Sequence, residues 1–274
     1  MFIVGLFVNG VLTKSIFINI NLIQKRGKLV NAGVLLLHGL FEHKGRHRIN
    51  AEWFENLNIK SHLINLPGHG DNVENRGDLV SWEENSKAVI EGFKSLENKE
   101  KRILFGHSYG GLVATYAVLK QLIEPDYLIL TAPLFEDNYP KFIRNLSGTM
   151  AKVAPKLRAP SPVTRKNLST DKSVSEDYFN DPSVFRSLTF RFGNAITEAQ
   201  TYVNNNIEKL EIPTIVLHGK GDVLVPISGC EKISRLNNVT FVEVDNSKHE
   251  ILNQDTRPFA LSEIHQWLRG NKII

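Results

Sequence analysis

Gly106-His107-Ser108-Tyr109-Gly110 sets a hydroxyl among glycines where an apolar run ("KRILF", Lys101 to Phe105) gives way to a helical pattern ("GGLVATYAVLKQL", Gly110 to Leu122). This is G-x-S-x-G in the setting that motif requires, strand before and helix after. The turn is tight enough to force unusual backbone angles on the central residue, and its neighbours must lack side chains. The hydroxyl then stands free above the end of the strand. A serine hydroxyl is a poor nucleophile until a base takes its proton. In this architecture the base is a histidine late in the chain, and the acid that orients it follows a strand between the two.

Two residues meet those demands. Asp222 follows the strand "TIVLHG" in "HGKGDVLVP", and His249 follows "FVEVD" in "NSKHEIL". His249 is read as general base and then general acid, and Asp222 as the carboxylate that fixes its tautomer and stabilises the imidazolium. Asp245, closer to His249 in sequence, is the rival acid. The backbone amide of Tyr109, opening the helix, is one candidate donor to an oxyanion. Leu40, just past His38-Gly39 in "LLLHGLFEH", supplies the other. His38 and His218 precede glycines at strand ends, where a structural hydrogen bond is the default. His107 is a neighbour of the nucleophile, His62 lies in a strand, and His265 is expected at a helix surface.

The elements that must hold these residues are legible as short apolar runs alternating with helical patterns. Strands are expected at "AGVLLLHG", "SHLINLPGHG", "KRILFG", "PDYLILTAP", "IPTIVLHG" and "VTFVEVD". Helices are expected at "AEWFENL", "SWEENSKAVIEGFKSL" (with Ser81 and Glu84 as a capping box), "GGLVATYAVLKQL", "SGCEKISRL" and "RPFALSEIHQWL". Continuous Val/Ile/Leu strands alternating with helices mean a parallel sheet covered on both faces. "FIVGLFV", Asn9-Gly10 and "VLTKSIFINI" read as an N-terminal β-hairpin rather than an export signal, since no basic segment precedes the apolar run. From about Leu134 to about Asn206 no strand is evident. That stretch is expected to be a helical insertion over the sheet edge where ligands bind.

The chain has 274 residues, 42% of them hydrophobic and 23% charged, an ordinary globular balance. A formal charge of +4, without a dense Lys/Arg cluster, gives no support to nucleic-acid binding. The single cysteine, Cys230, excludes a disulfide framework and reads as a buried small apolar residue. No H-E-x-x-H, Walker A or helix-opening G-x-G-x-x-G is present, so neither metal nor nucleotide cofactor is expected. No apolar run reaches transmembrane length, and the expected location is cytoplasmic, with contact to a membrane surface left open.

With these segments assembled, the chain resembles the monoacylglycerol lipase and lysophospholipase group of α/β-hydrolases, also grouped with the serine aminopeptidase-like hydrolases. "HGLFEHKGRH" is similar to that group's HG-x-x-EH-x-x-RY, "LPGHGDN" to its D-x-x-GHG-x-S loop and "GHSYGG" to GHSMGG. "LHGKGDVLVP" and "KHEILNQ" resemble the segments carrying the acid and the histidine, and "LSTDKSVSEDYFNDPSVFRSLTFRFG" resembles its lid segment. The resemblance implies an α/β-hydrolase core over residues 1–133 and 207–274 and a lid over 134–206. It implies Ser108, Asp222 and His249 as triad, with the Leu40 and Tyr109 amides as oxyanion hole. The implied activity is hydrolysis of a monoacylglycerol, lysophospholipid or related ester through an acyl-enzyme. Amide, peptide or thioester cleavage on the same residues is an alternative, as is a non-catalytic binding protein.

Leu134, Phe135, Phe142, Ile143 and Leu146 are candidates to line an acyl channel, or else pack the insertion's own core. Departures from the group's pattern are Tyr109 for Met, which is expected to reshape the leaving-group side of the pocket, Asp71-Asn72 for Arg-Ser, His47 for Tyr and Gln254 for Glu.

Overall fold

The computed structural model describes residues 31–70, 74–138 and 141–274, with backbone alone over 141–146. The expected N-terminal hairpin and Asp71-Asn72 lie outside the described residues. Six strands form one sheet: β1 (Ala32–Leu37), β2 (Ile59–Ile64), β3 (Lys101–His107), β4 (Tyr127–Thr131), β7 (Thr214–Gly219) and β8 (Val239–Val244), in the order β2-β1-β3-β4-β7-β8. Every pairing in it is parallel. β1, β4, β7 and all of β3 after Lys101 and Arg102 are buried, as their apolar runs require.

Alternate residues of these strands feed two cores, because successive side chains point to opposite faces. Leu35, Leu37, Leu104, Leu128, Leu130 and Val216 pack against α2 (Glu83–Phe93), α3 (Tyr109–Leu119) and α7 (Phe190–Asn206). Val34, Leu36, Ile103, Phe105, Ile129, Ile215 and Leu217 pack against α1 (Arg48–Asn56) and α8 (Arg257–Gly270). Each such aliphatic side chain contributes about 1.5–3 kcal/mol relative to exposure. The two layers make the sheet a rigid platform, and the loops at the carboxyl ends of β3, β7 and β8 are held by it.

The expected Ser81–Glu84 capping box is met in half: Glu84 Oε1 accepts from the Ser81 amide at 3.1 Å, but Ser81 Oγ accepts from the Glu83 amide, at 3.2 Å, instead of from Glu84. One expected helix is absent. "SGCEKISRL" forms two 3₁₀ turns, Ile227–Cys230 and Ile233–Arg235. Gly229 and two serines weaken helix there, and Gly229 lies too close to Glu136 to carry a side chain, its added Cβ falling 2.8 Å from Glu136 Cβ.

Between β4 and β7 none of the described residues joins the main sheet. The chain there forms α4 (Lys141–Val153), β5 (Arg158–Pro160), α5 (Arg165–Leu168), α6 (Lys172–Asn180), β6 (Ser187–Thr189) and α7. β5 and β6 pair antiparallel, a small correction to a stretch read as strand-free. Three residues each, one of them Pro160, are too few to leave a periodic signature. α4 lies against α7, and α7 against α3. Among the described residues no helix is long and apolar enough to cross a membrane.

Candidate active site

β3 ends at His107 and α3 begins at Tyr109, so Ser108 alone makes the turn, at φ 51° and ψ −114°. Close approach explains the flanking glycines. A Cβ on Gly106 would lie 2.5 Å from the Gly110 carbonyl oxygen, and one on Gly110 would lie 2.3 Å from the Leu37 carbonyl oxygen. The strained residue is held on both sides. The Ser108 amide donates to Thr131 O at 2.9 Å, and its carbonyl accepts from the Leu134 amide at 2.9 Å. A positive φ on a non-glycine costs on the order of 1–3 kcal/mol and persists only when the surroundings over-determine it.

Ser108, His249 and Asp222 come together as expected. His249 Nε2 lies 2.9 Å from Ser108 Oγ, and His249 Nδ1 donates to Asp222 Oδ2 at 2.7 Å. Asp222 has no exposed side-chain surface. Its other oxygen accepts from the Leu224 and Val225 amides at 2.9 and 3.0 Å. Burial pushes its carboxyl up, but the attraction and hydrogen bond of His249 and the Val225 amide outweigh it, and it stays below the usual carboxylate range. For His249, burial pulls the imidazole down, the Asp222 carboxylate pushes it up, and the balance is raised. The rival Asp245 is 76% exposed and pairs with Lys220 at 2.9 Å, away from this histidine.

The other histidines are structural. His38 Nδ1 donates to Gly39 O at 2.8 Å while its Nε2 accepts from the Leu66 amide at 3.0 Å. His218 Nε2 donates to Val225 O at 3.0 Å. His107 is held near 4 by burial and by His249, whose ring centroid is 5.0 Å away. His265 is half-buried on α8 rather than at its surface. Burial pushes the Cys230 thiol up to about 12, so it stays protonated at neutral pH.

Leu40 lines a cavity of 260 Å³ that also borders Ser108 and His249. Neither the Leu40 nor the Tyr109 amide has an acceptor among the described residues. The cavity wall is largely apolar, with Leu134, Val163, Leu168, Leu188, Ile196 and Leu224 on it. Of the five channel candidates, Leu134 is on this wall. Phe135 is instead buried in the core at 1% exposure. Phe142, Ile143 and Leu146 lie on α4, with side chains outside the described residues.

The Tyr109 side chain is turned away from the cavity, a correction to the expectation that it reshapes the leaving-group side. It is fully buried, stacked on His69 at 5.6 Å between ring centroids and edge-on to Trp82, and its hydroxyl accepts from Asn85 Nδ2 at 2.6 Å.

Sequence reasoning missed a buried ionic cluster beside the site. Glu42 Oε1 accepts from the Gly39 amide at 2.5 Å and from His47 Nε2 at 3.0 Å, and Glu42 Oε2 accepts from Arg46 Nε at 2.7 Å. Arg46 Nη2 donates to Glu250 Oε2 at 3.1 Å. The usable signals were the i,i+4 spacing of Glu42 and Arg46 and a carboxylate directly after His249. Gln254 was noted only as a departure. Its Oε1 accepts from Ser169 Oγ, the Thr170 amide and Thr170 Oγ1, each at 3.0 Å, and its amide nitrogen donates to Ser247 Oγ.

Fold and site together define an α/β-hydrolase of the serine-nucleophile type. The serine aminopeptidase, S33 family (Hydrolase_4) matches residues 29–256, and the chain belongs to that family. It is similar to a monoacylglycerol lipase of Mycolicibacterium smegmatis, 24% identical over 245 residues that cover 86% of this chain and 87% of that protein. It is also similar to an uncharacterized abhydrolase domain-containing protein of Dictyostelium discoideum, 22% identical over 245 residues, with 87% of this chain covered but only 26% of that protein's length. The crystal structure of Paleococcus ferrophilus monoacylglycerol lipase superposes with a TM-score of 0.79 at 24% identity, covering 86% of this chain and 94% of that one.

Proposed function

We propose that this protein is a serine ester hydrolase that cleaves monoacylglycerols or similar lipid esters, lysophospholipids among them, through an acyl-enzyme. The observation that carries the reading is the unbroken line Ser108 Oγ, His249, Asp222 opening on an apolar cavity. His249 Nε2 takes the serine proton as Oγ attacks the ester carbonyl. Asp222 accepts from Nδ1 and stabilises the imidazolium. The Tyr109 and Leu40 amides receive the oxyanion, each such donor contributing roughly 2.7–4 kcal/mol to the transition state. His249 returns the proton to the departing alcohol, and a water activated the same way releases the acid.

The apolar wall suits an acyl chain, and the names borne by two relatives point to the same substrate class. In this reading residues 134–206 act as a lid over a core of 1–133 and 207–274, Leu134 belongs to the acyl channel, and the lid makes transient contact with lipid surfaces. The test is labelling with a fluorophosphonate, together with turnover of p-nitrophenyl esters and monoacylglycerols of graded chain length. The wild type is expected to label and to prefer medium or long chains. Ser108→Ala is expected to lose both labelling and turnover while keeping its fold. A Ser108→Ala protein with full kcat would refute the reading.

A further inference from the structure

The cluster beside the site joins two loops that do different work. Glu42 follows the loop bearing the Leu40 amide and holds that loop by accepting from the Gly39 amide, one peptide before Leu40. Glu250 is the residue after His249. Both carboxylates are 2% exposed and both are held below the usual range against the upward push of burial, Glu42 by His47 and Arg46 and Glu250 chiefly by Arg46. Arg46 touches both at once, Glu42 through Nε and Glu250 through Nη2. A guanidinium is a planar fork, so two bonds from it fix the direction as well as the distance of what it holds. Its plane is itself backed by the Tyr178 ring, 4.8 Å from Cζ.

We propose that Arg46 is a positioning residue that locks the oxyanion loop and the histidine loop to each other, setting the distance between the Leu40 amide and His249. The inference rests on the hydrolase reading above. Without the guanidinium nothing bridges Glu42 and Glu250, and the two loops are released from each other. Glu42 then carries Gly39 and the Leu40 amide with it, while Glu250 shifts the peptide that carries His249. A displacement of about 1 Å at reacting groups costs on the order of 100-fold in rate.

The test compares wild type, Arg46→Lys and the double variant Arg46→Met/Glu250→Gln, in which the uncompensated charge at Glu250 is gone and the fold is expected to hold. Turnover of a p-nitrophenyl ester gives kcat and KM. A trifluoromethyl ketone of the same chain length, which Ser108 converts to a tetrahedral oxyanion, reads the oxyanion site directly. The double variant is expected to lose about 100-fold in kcat, to keep its KM and its unfolding temperature close to wild type, and to bind the ketone more weakly in step with kcat. Arg46→Lys is expected to fall between, since an ammonium is a point charge without the fork. A folded double variant with wild-type kcat and ketone affinity overturns the assignment, as does an Arg46→Lys protein indistinguishable from wild type. A wild type inert to ester and ketone alike would instead sink the hydrolase reading.

Discussion

At the residue scale the proposed chemistry turns on one imidazole between a hydroxyl and a carboxylate. His249 must be neutral to accept a proton, and Asp222 holds it above its ordinary 6.5. The acid limb of kcat/KM is therefore expected above that value. Asp222→Asn removes the charge that raises it, so the limb should move to lower pH while kcat drops by roughly 10³–10⁴-fold as the wrong tautomer is favoured. Asp245→Asn, at an exposed residue paired with Lys220, should leave the profile in place. Equal losses in the two variants, measured by pH-rate profiles, would reassign the acid. The choice of Asp222 was legible in sequence because strand, glycine loop and acid sat in order. The Glu42–Arg46–Glu250 cluster was not. Its members are 204 residues apart at the far bond, and an isolated charged residue reads by default as a solvated one.

At the scale of elements, the sheet was legible because buried parallel strands are unbroken apolar runs, and "AGVLLL" or "YLILT" admit few other readings. The segment between β4 and β7 was harder. Apart from α7, which buries Phe192, Ala195, Ile196, Ala199 and Val203 at helical spacing, its pieces are tied by side-chain links to distant loops. His43 Nε2 meets Asp181 Oδ2 at 2.8 Å, Arg191 pairs with Asp78, and Gln254 gathers Ser169 and Thr170. None of these pairs has a local signal. Gln254 is the most consequential, because its one oxygen accepts three bonds and its nitrogen reaches Ser247, tying that segment to the loop before His249. Gln254→Ala leaves those buried groups without a partner and should destabilise the protein by about 1–3 kcal/mol. Limited proteolysis should then cut first within residues 134–206. Unchanged denaturant midpoints and cleavage patterns would show the tie to be idle.

For the whole molecule, buried histidines set the acid limit. Burial holds His38 well below its usual value and His69 and His107 near 4, whereas the unfolded chain titrates them near 6.5. Below 6.5 the unfolded state binds more protons, so stability is present above that pH and is lost as pH falls toward 4. Glu42, Glu250 and Asp222, all lowered, extend the loss further into acid. His249 acts oppositely, stabilising below 6.5 and ceasing to do so as pH rises through its raised value, but it stands alone against those three histidines and the buried His218, which is lowered too. The unfolding temperature should therefore decline as pH falls from about 6.5 to 5. A flat profile over that range, by differential scanning calorimetry, would contradict the burial of these rings as neutral species. One bond reaches beyond stability. The peptide at Leu134, where the chain leaves β4 for the segment that precedes β7, is fastened to the carbonyl of Ser108 itself. The distal part of that segment is thus free to be exchanged between relatives, but its root is not. A chimera spliced at residue 134 should disturb the Ser108 turn, whereas a junction a few residues further on should transplant a new cavity wall and leave that turn intact.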